Sequence, residues 1–338
     1  MKTIVLNEPG DLMEKDAPDP ARLGANEVLL KVRCLGICGT DLHAYKGRQP
    51  FFTYPRILGH EVAAEIVSFG QHVTHLRKGD MCTVLPYRNL IADQAVKSGK
   101  VNCGSGLHYM GVHEDGAMRE YFIRNAEDII LCKDLDAEQI AMIEPLSIAS
   151  HAIERACIKP SDIVLVAGAG PIGILTIAMG QLKGARFLAT DLNQQRLAFV
   201  KEKYPATDII VTNDHLLSNI RELLEGDLPT IIIDATGNRE SMMNCFEYVA
   251  PGGTIVFLGL FTGNIEFSDP KFHAKETTLK SSRAAVPEDF RKVIRLLQGR
   301  TINIDGLITH RLQFDSLTDT FPQLYNPDKQ VIKAVIEF

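Results

Sequence analysis

Four short signatures bring together a thiol, an imidazole, two carboxylates and a glycine-rich turn. Cys38-Gly39-Thr40-Asp41 comes first, Gly59-His60-Glu61 second, Glu144-Pro145 third and Gly168-Ala169-Gly170-Pro171-Ile172-Gly173 last. A thiolate, a neutral imidazole and carboxylates are the donors of a four-coordinate zinc site, and a position left open makes such a site catalytic. The glycines have the spacing that a dinucleotide pyrophosphate needs. Each fragment recurs by chance. Together, in this order, they are the equipment for metal-assisted hydride transfer.

Two kinds of chain must position these residues. Up to about residue 145 the sequence reads as short strands broken by Gly and Pro. Asn26 to Cys38 and Glu61 to Phe69 are rich in Val, Ile and Leu, and Glu8-Pro9-Gly10 and Lys78-Gly79-Asp80 are turn signals. From about residue 162 the texture becomes strand, turn, helix, repeated. Asp162 to Ala167 is a buried parallel strand, and the glycine turn opens a helix from Pro171 to Lys183. Phe187 to Thr190 is the next strand, then a helix through Leu197 to Val200, with further strands at Ile209 to Val211, Ile231 to Ile233 and Thr254 to Leu258. That alternation specifies a doubly wound parallel sheet, an α/β fold. After about residue 284 one helix (Pro287 to Gln298) and one closing strand (Gln330 to Phe338) are expected. The tail is read as returning to the first domain, so residues 1–146 and 284–338 form one domain and residues 147–283 an inserted one.

In the glycine turn, Gly168 permits the tight bend, Gly170 lets backbone approach the pyrophosphate, and Gly173 lets helix pack on strand. Pro171 and Ile172 start the helix, whose N-terminal N–H groups face the phosphates. Asp191 ends the following strand. A carboxylate there accepts the adenosine ribose hydroxyls and repels a 2′-phosphate, so NAD is favoured over NADP. Its alternative role is an N-cap for the helix at Gln194. Arg196 either lies along the adenine or is solvated, and Ala235 and Thr236 close another strand on the same sheet edge, as a cofactor contact or a plain turn.

Composition sets bounds. The chain has 338 residues, 45% hydrophobic and 23% charged, with a formal net charge of -6, which argues against nucleic acid as the main partner. Cys34, Cys38, Cys82, Cys103, Cys132, Cys157 and Cys245 are odd in number and scattered, as reduced thiols rather than a disulfide framework. The apolar run Ile4-Val5-Leu6 is too brief for a signal peptide or a membrane span. A cytoplasmic protein with no membrane or nucleic-acid partner is expected.

These motifs resemble the zinc-dependent medium-chain dehydrogenases, the family of alcohol, sorbitol and threonine dehydrogenases, along nearly the whole chain. The Cys, His-Glu, Glu-Pro variant is similar to the polyol and threonine branch. The resemblance implies a GroES-like, β-rich catalytic domain with an inserted Rossmann domain. It implies zinc on Cys38, His60 and Glu61, with Glu144 either a direct ligand or the holder of a zinc-bound water. It makes Thr40 and His43 a proton relay, although His43 could equally be a surface histidine. Many relatives carry a second, structural zinc on a C-x-x-C-x-x-C-x7-C lobe. Here those positions are Leu90, Asp93, Val96 and Gly104, and the lone Cys103 is out of register, so one catalytic zinc and no structural zinc is expected. Residues Gln49 to Arg56 and Phe267 to His273 resemble the branch that oxidises the sugar acids L-galactonate or L-gulonate at carbon 5. Arg283 stands where polyol dehydrogenases place an arginine in the cleft, to hold a hydroxyl or carboxylate or to orient Glu144 or the nicotinamide. A sugar acid is the expected substrate, with sorbitol, another polyol or L-threonine as alternatives and a zinc-free NAD-binding sensor as the reading from another class. A homo-oligomer, dimer or tetramer, is expected by analogy.

Overall fold

The computed structural model describes residues 1–20 and 22–338. They divide into two compact units, Met1–Glu144 with Val286–Phe338, and Pro145–Ala285.

The first unit is built on a seven-stranded sheet. Strand Glu27–Ile37 lies at its centre between Lys333–Glu337 and Glu61–Phe69, and Tyr121–Asn125 also pairs with it. The burial of Glu27–Ile37 explains its composition. Its first half alternates buried and half-buried residues, as a strand with one solvated face should, whereas Cys34 to Ile37 are continuously buried. The change falls where Lys333–Glu337 joins as a further neighbour, pairing Ala334 with Ile37 and Glu337 with Cys34. Leu30, Val32, Leu35, Val62, Ala64, Ile66 and Ile336 make a dry core beneath. At about 25 cal/mol per Å² of apolar surface removed from water, this burial is what holds the candidate ligand strands in register. A separate two-stranded ribbon, Tyr87–Asn89 with Leu107–Tyr109, and the short helix Gln94–Lys97 make a small lobe.

The C-terminal tail differs from expectation. Besides helix Pro287–Gln298 it holds a second strand, Ile308–Gln313, parallel to a closing strand that is shorter than expected, Lys333–Glu337. Ile308–Gln313 is an edge strand whose residues alternate between half-buried and exposed. Thr309, His310, Arg311 and Gln313 dilute its apolar signal.

The second unit carries a six-stranded, all-parallel sheet. Its order is Asp208–Val211, Arg186–Asp191, Ile163–Ala167, Ile231–Asp234, Thr254–Phe257, Thr278–Ser281. The chain winds outward from Ile163–Ala167 on one side, then returns to start the other half at Ile231–Asp234. The strand ends flanking that reversal are where α/β sheets bind ligands. Helix Pro171–Gly180 follows the first strand and stops sooner than its apolar run suggests, at a short 3-10 turn, Gln181–Lys183. A β-carbon on Gly180 would lie 2.2 Å from Cζ of Phe187, so glycine is what lets the helix end rest on the neighbouring strand. Among the described residues no helix is long and apolar enough to cross a membrane.

Candidate metal centre and dinucleotide turn

Cys38 follows the central strand immediately and occupies the N-cap of helix Gly39–Tyr45. Asp41, fully buried, fastens this corner. Its Oδ2 accepts the Cys38 N–H at 2.9 Å, and its Oδ1 accepts the Gly59 N–H at 3.3 Å. One carboxylate therefore joins the loop carrying the thiol to the loop carrying the imidazole. Gly59 has φ +95°, and a β-carbon there would meet Leu35 at 2.6 Å, so glycine makes the bend that precedes His60 and Glu61.

Glu61 opens its strand directly opposite Gly36. A β-carbon on Gly36 would fall 1.9 Å from Oε2 of Glu61, so the carboxylate occupies the space that a side chain at position 36 would take. On the same carboxylate, Lys333 Nζ donates to Oε2 and, at 3.0 Å, to the carbonyl of Ile37. Both charged groups are buried.

One ligand atom from each of Cys38, His60 and Glu61 lies within 4.8 Å of the others. Zinc, with bonds of about 2.0–2.3 Å, spans such a trio after slight closure, and thiolate, imidazole and carboxylate are its usual donors. His60 Nδ1 is buried without a hydrogen-bond partner, 4.0 Å from Oδ1 of Asp41. The potential is negative here. Burial opposes a charged His60, but the Cys38 sulfur, Asp41 and Glu144 outweigh it and hold its pKa well above the ordinary value. The donor set and its charge fit a divalent cation.

Glu144 is buried at the start of helix Ile143–Ala156, outside the close trio. Burial raises its pKa, and the charge of Glu61 adds to this against His60. Its Oε1 accepts a hydrogen bond from the Tyr87 hydroxyl. Thr40 is half-buried and His43 exposed, one turn apart on helix Gly39–Tyr45 and so on one face of it.

In the second unit Gly168 has φ +97° and donates its N–H to the Thr190 carbonyl at 2.8 Å. A β-carbon on Gly173 would lie 1.8 Å from the carbonyl oxygen of Gly168, whereas one on Gly170 would meet nothing nearer than Nη1 of Arg196 at 4.0 Å. Gly173 is thus required by packing, while Gly170 leaves the turn's outer side open beneath the Arg196 guanidinium. Gly170 is the N-cap and Pro171 stands in the first turn of the helix, where its missing N–H costs no bond; Ile172 follows, half-buried. Asp191 accepts the Ala169 N–H at 2.7 Å and the Asn193 N–H at 2.7 Å. The helix-capping role falls instead to Asn193, which accepts from Gln195 and Arg196. Buried Asp234 fixes the turn that holds Ala235 and Thr236, accepting the Thr236 and Gly237 N–H groups and the hydroxyls of Thr236 and Ser241. Arg283 is exposed, just beyond strand Thr278–Ser281.

Three of the lobe positions noted above, Asp93, Val96 and Gly104, still converge, whereas Leu90 is exposed. Asp93 caps the short helix, accepting the Val96 N–H at 3.0 Å, and also accepts the Ser105 N–H at 2.7 Å. A β-carbon on Gly104 would meet Oδ1 of Asn89 at 2.0 Å and Val96 at 2.8 Å. A carboxylate and close packing hold this loop.

Asp41, Gly36, Tyr87 and Lys333 did not stand out in sequence, whereas Asp234 was read only as closing a strand beside Ala235 and Thr236. Asp41 lies inside the first signature, and Lys333 heads an otherwise apolar run, Ala334 to Ile336; those were the available signals.

Residues 24–134 match the alcohol dehydrogenase GroES-like domain, and residues 171–299 match the zinc-binding dehydrogenase family. L-galactonate-5-dehydrogenase of Escherichia coli K12 is 40% identical over 338 residues, covering 100% of this chain and 99% of that protein. Sorbitol dehydrogenase of Ovis aries is 32% identical over 329 residues, covering 94% and 92%. Among solved structures, the alcohol dehydrogenase RspB of Escherichia coli CFT073, complexed with NADH, superposes with a TM-score of 0.91 at 30% identity over 100% of this chain and 99% of that one. With a GroES-like domain, a Rossmann-type parallel sheet and relatives that match it end to end, this chain belongs to the zinc-type medium-chain alcohol dehydrogenases.

Proposed function

We propose that this dehydrogenase oxidises a secondary hydroxyl of a sugar acid, of the L-galactonate or L-gulonate type, to the ketone, using one zinc per subunit and NAD. The full-length similarity to an L-galactonate-5-dehydrogenase carries the substrate reading. Cys38, His60 and Glu61 would hold the zinc, with Glu144 as a further ligand or as the holder of a water. Bound zinc supplies Lewis acidity that lowers the pKa of the substrate hydroxyl, and NAD accepts the hydride. Thr40 Oγ1 would accept the hydroxyl proton and His43 pass it to solvent. Gly168, Gly170, Pro171, Ile172 and Gly173 would seat the pyrophosphate, and Asp191 the adenosine ribose, whose 2′-phosphate it would repel. Arg196, Ala235 and Thr236 would line the cofactor, and Arg283 would hold the substrate carboxylate by paired hydrogen bonds. Leu90, Asp93, Val96 and Gly104 offer no four-thiolate set, which supports a single zinc. Seven unpaired cysteines fit a reducing, cytoplasmic compartment better than an oxidising one, and a homo-oligomer is expected by analogy alone.

The similarity to sorbitol dehydrogenases favours a neutral polyol as the second reading. The deciding experiment is NAD reduction measured across hexonates, polyols and L-threonine, alongside metal analysis. The highest kcat/KM is expected on a hexonate. Faster turnover of sorbitol or L-threonine than of every hexonate would remove the sugar acid and leave the dehydrogenase.

A further inference from the structure

We propose that Tyr87 is a positioning residue for Glu144 and ties the small lobe to the candidate metal centre, an inference that rests on Glu144 facing the metal. The Tyr87 hydroxyl donates to Oε1 of Glu144, and both side chains are buried. The ring is wedged edge-on between two others. Tyr109 lies 5.2 Å away at an interplanar angle of 70°, and Phe290 6.2 Å away at 75°.

Each neighbour is itself fixed. Tyr109 is the register partner of Tyr87 across the two-stranded ribbon, and Phe290 is fully buried on helix Pro287–Gln298. A tyrosine held this way has little freedom to swing its hydroxyl away from the carboxylate. Tyr87 engages Oε1 of Glu144, so Oε2 is the oxygen this proposal assigns to a metal or a water.

Glu61 is held differently, by a cation from the closing strand. Tyr87 brings no charge, so it orients Glu144 without cancelling the negative potential that attracts zinc. Its strand leads directly into the loop organised by Asp93 and Asn89. Order in that loop is thereby passed to a carboxylate of the metal centre. Polar partners of metal-binding side chains typically change metal affinity or activity by about 10–100-fold when removed.

The test compares Tyr87→Phe, which keeps the ring and its packing, with wild type and with Glu144→Ala. Zinc affinity is measured by competition with a chromophoric chelator on the full chain, and kcat and KM are measured separately. Tyr87→Phe should weaken zinc binding or lower kcat by about tenfold or more with an unchanged unfolding midpoint. Added to Glu144→Ala it should cause no further loss, since Tyr87 acts through Glu144. Wild-type zinc affinity and kcat in Tyr87→Phe would overturn the proposal, as would an equal further loss in the Glu144→Ala background. Cys38→Ala separates the two claims. If it abolishes zinc uptake while Tyr87→Phe is silent, only the tyrosine's role is lost; if it leaves zinc uptake intact, the metal centre and this proposal fall together.

Discussion

Lys333 and Glu61 lie 272 residues apart in sequence, yet their charged ends meet in a buried ion pair. The lysine's remaining contact, with the Ile37 carbonyl, places it at the end of the same strand that delivers Cys38. Burial disfavours a charged lysine, but Glu61 and Cys38 outweigh it and raise the Lys333 pKa.

Removing one partner of such a pair leaves the other charge stranded. Lys333→Met should destabilise the metal-free protein by about 3–5 kcal/mol in urea unfolding. Combining it with Glu61→Gln should recover most of that loss. A Lys333→Met protein as stable as wild type would show that the pair is not maintained in solution.

Gly36→Ala inserts a methyl group where the Glu61 carboxylate lies. The variant should fold, as judged by circular dichroism, but take up zinc at least about tenfold more weakly, because Glu61 is pushed out of the trio. Wild-type zinc affinity in this variant would exclude Glu61 from the ligand set.

Asp191→Asn keeps an acceptor for one of the two N–H groups, Ala169 or Asn193, that the two carboxylate oxygens now accept, and removes the charge that would repel a 2′-phosphate. The preference for NAD over NADP, measured as a ratio of kcat/KM, should narrow by about tenfold, equivalent to about 1.4 kcal/mol. A wild-type enzyme equally active with both cofactors would remove Asp191 from the ribose site.

Backbone N–H groups of Ser105 and Val96 hold the Asp93 carboxyl down, to a pKa of about 2. The folded value is depressed, so the stabilisation is present above the ordinary carboxyl pKa and is lost as pH falls through about 2. Asp93→Ala should therefore open the lobe at neutral pH, detected as faster proteolysis between Leu90 and Gly106. Acidification toward the folded value should erase the difference from wild type.

The glycine turn was legible in sequence because the backbone geometry observed at Gly168 and Gly173 demands glycine at the spacing a dinucleotide site would need. Cys38, His60 and Glu61 were legible because their side-chain types are rare together. Their supports were not. Gly36 matters only because register sets it opposite Glu61, and Tyr87 and Lys333 matter only through contacts that span 57 and 272 residues. Strand Ile308–Gln313 escaped notice for a related reason: an edge strand keeps polar residues on its exposed positions and lacks a core strand's apolar signature.

The sequence distance between Glu61 and Lys333 also has a meaning in time. A ribosome working at about 5–20 residues per second needs roughly 14–54 s to pass from one to the other. During that interval the nascent chain already holds Cys38, His60 and Glu61, while the cation that will neutralise the carboxylate has yet to be made. A metal ion bound at that stage would meet Glu61 without this counter-charge; one bound after synthesis would share the carboxylate with Lys333.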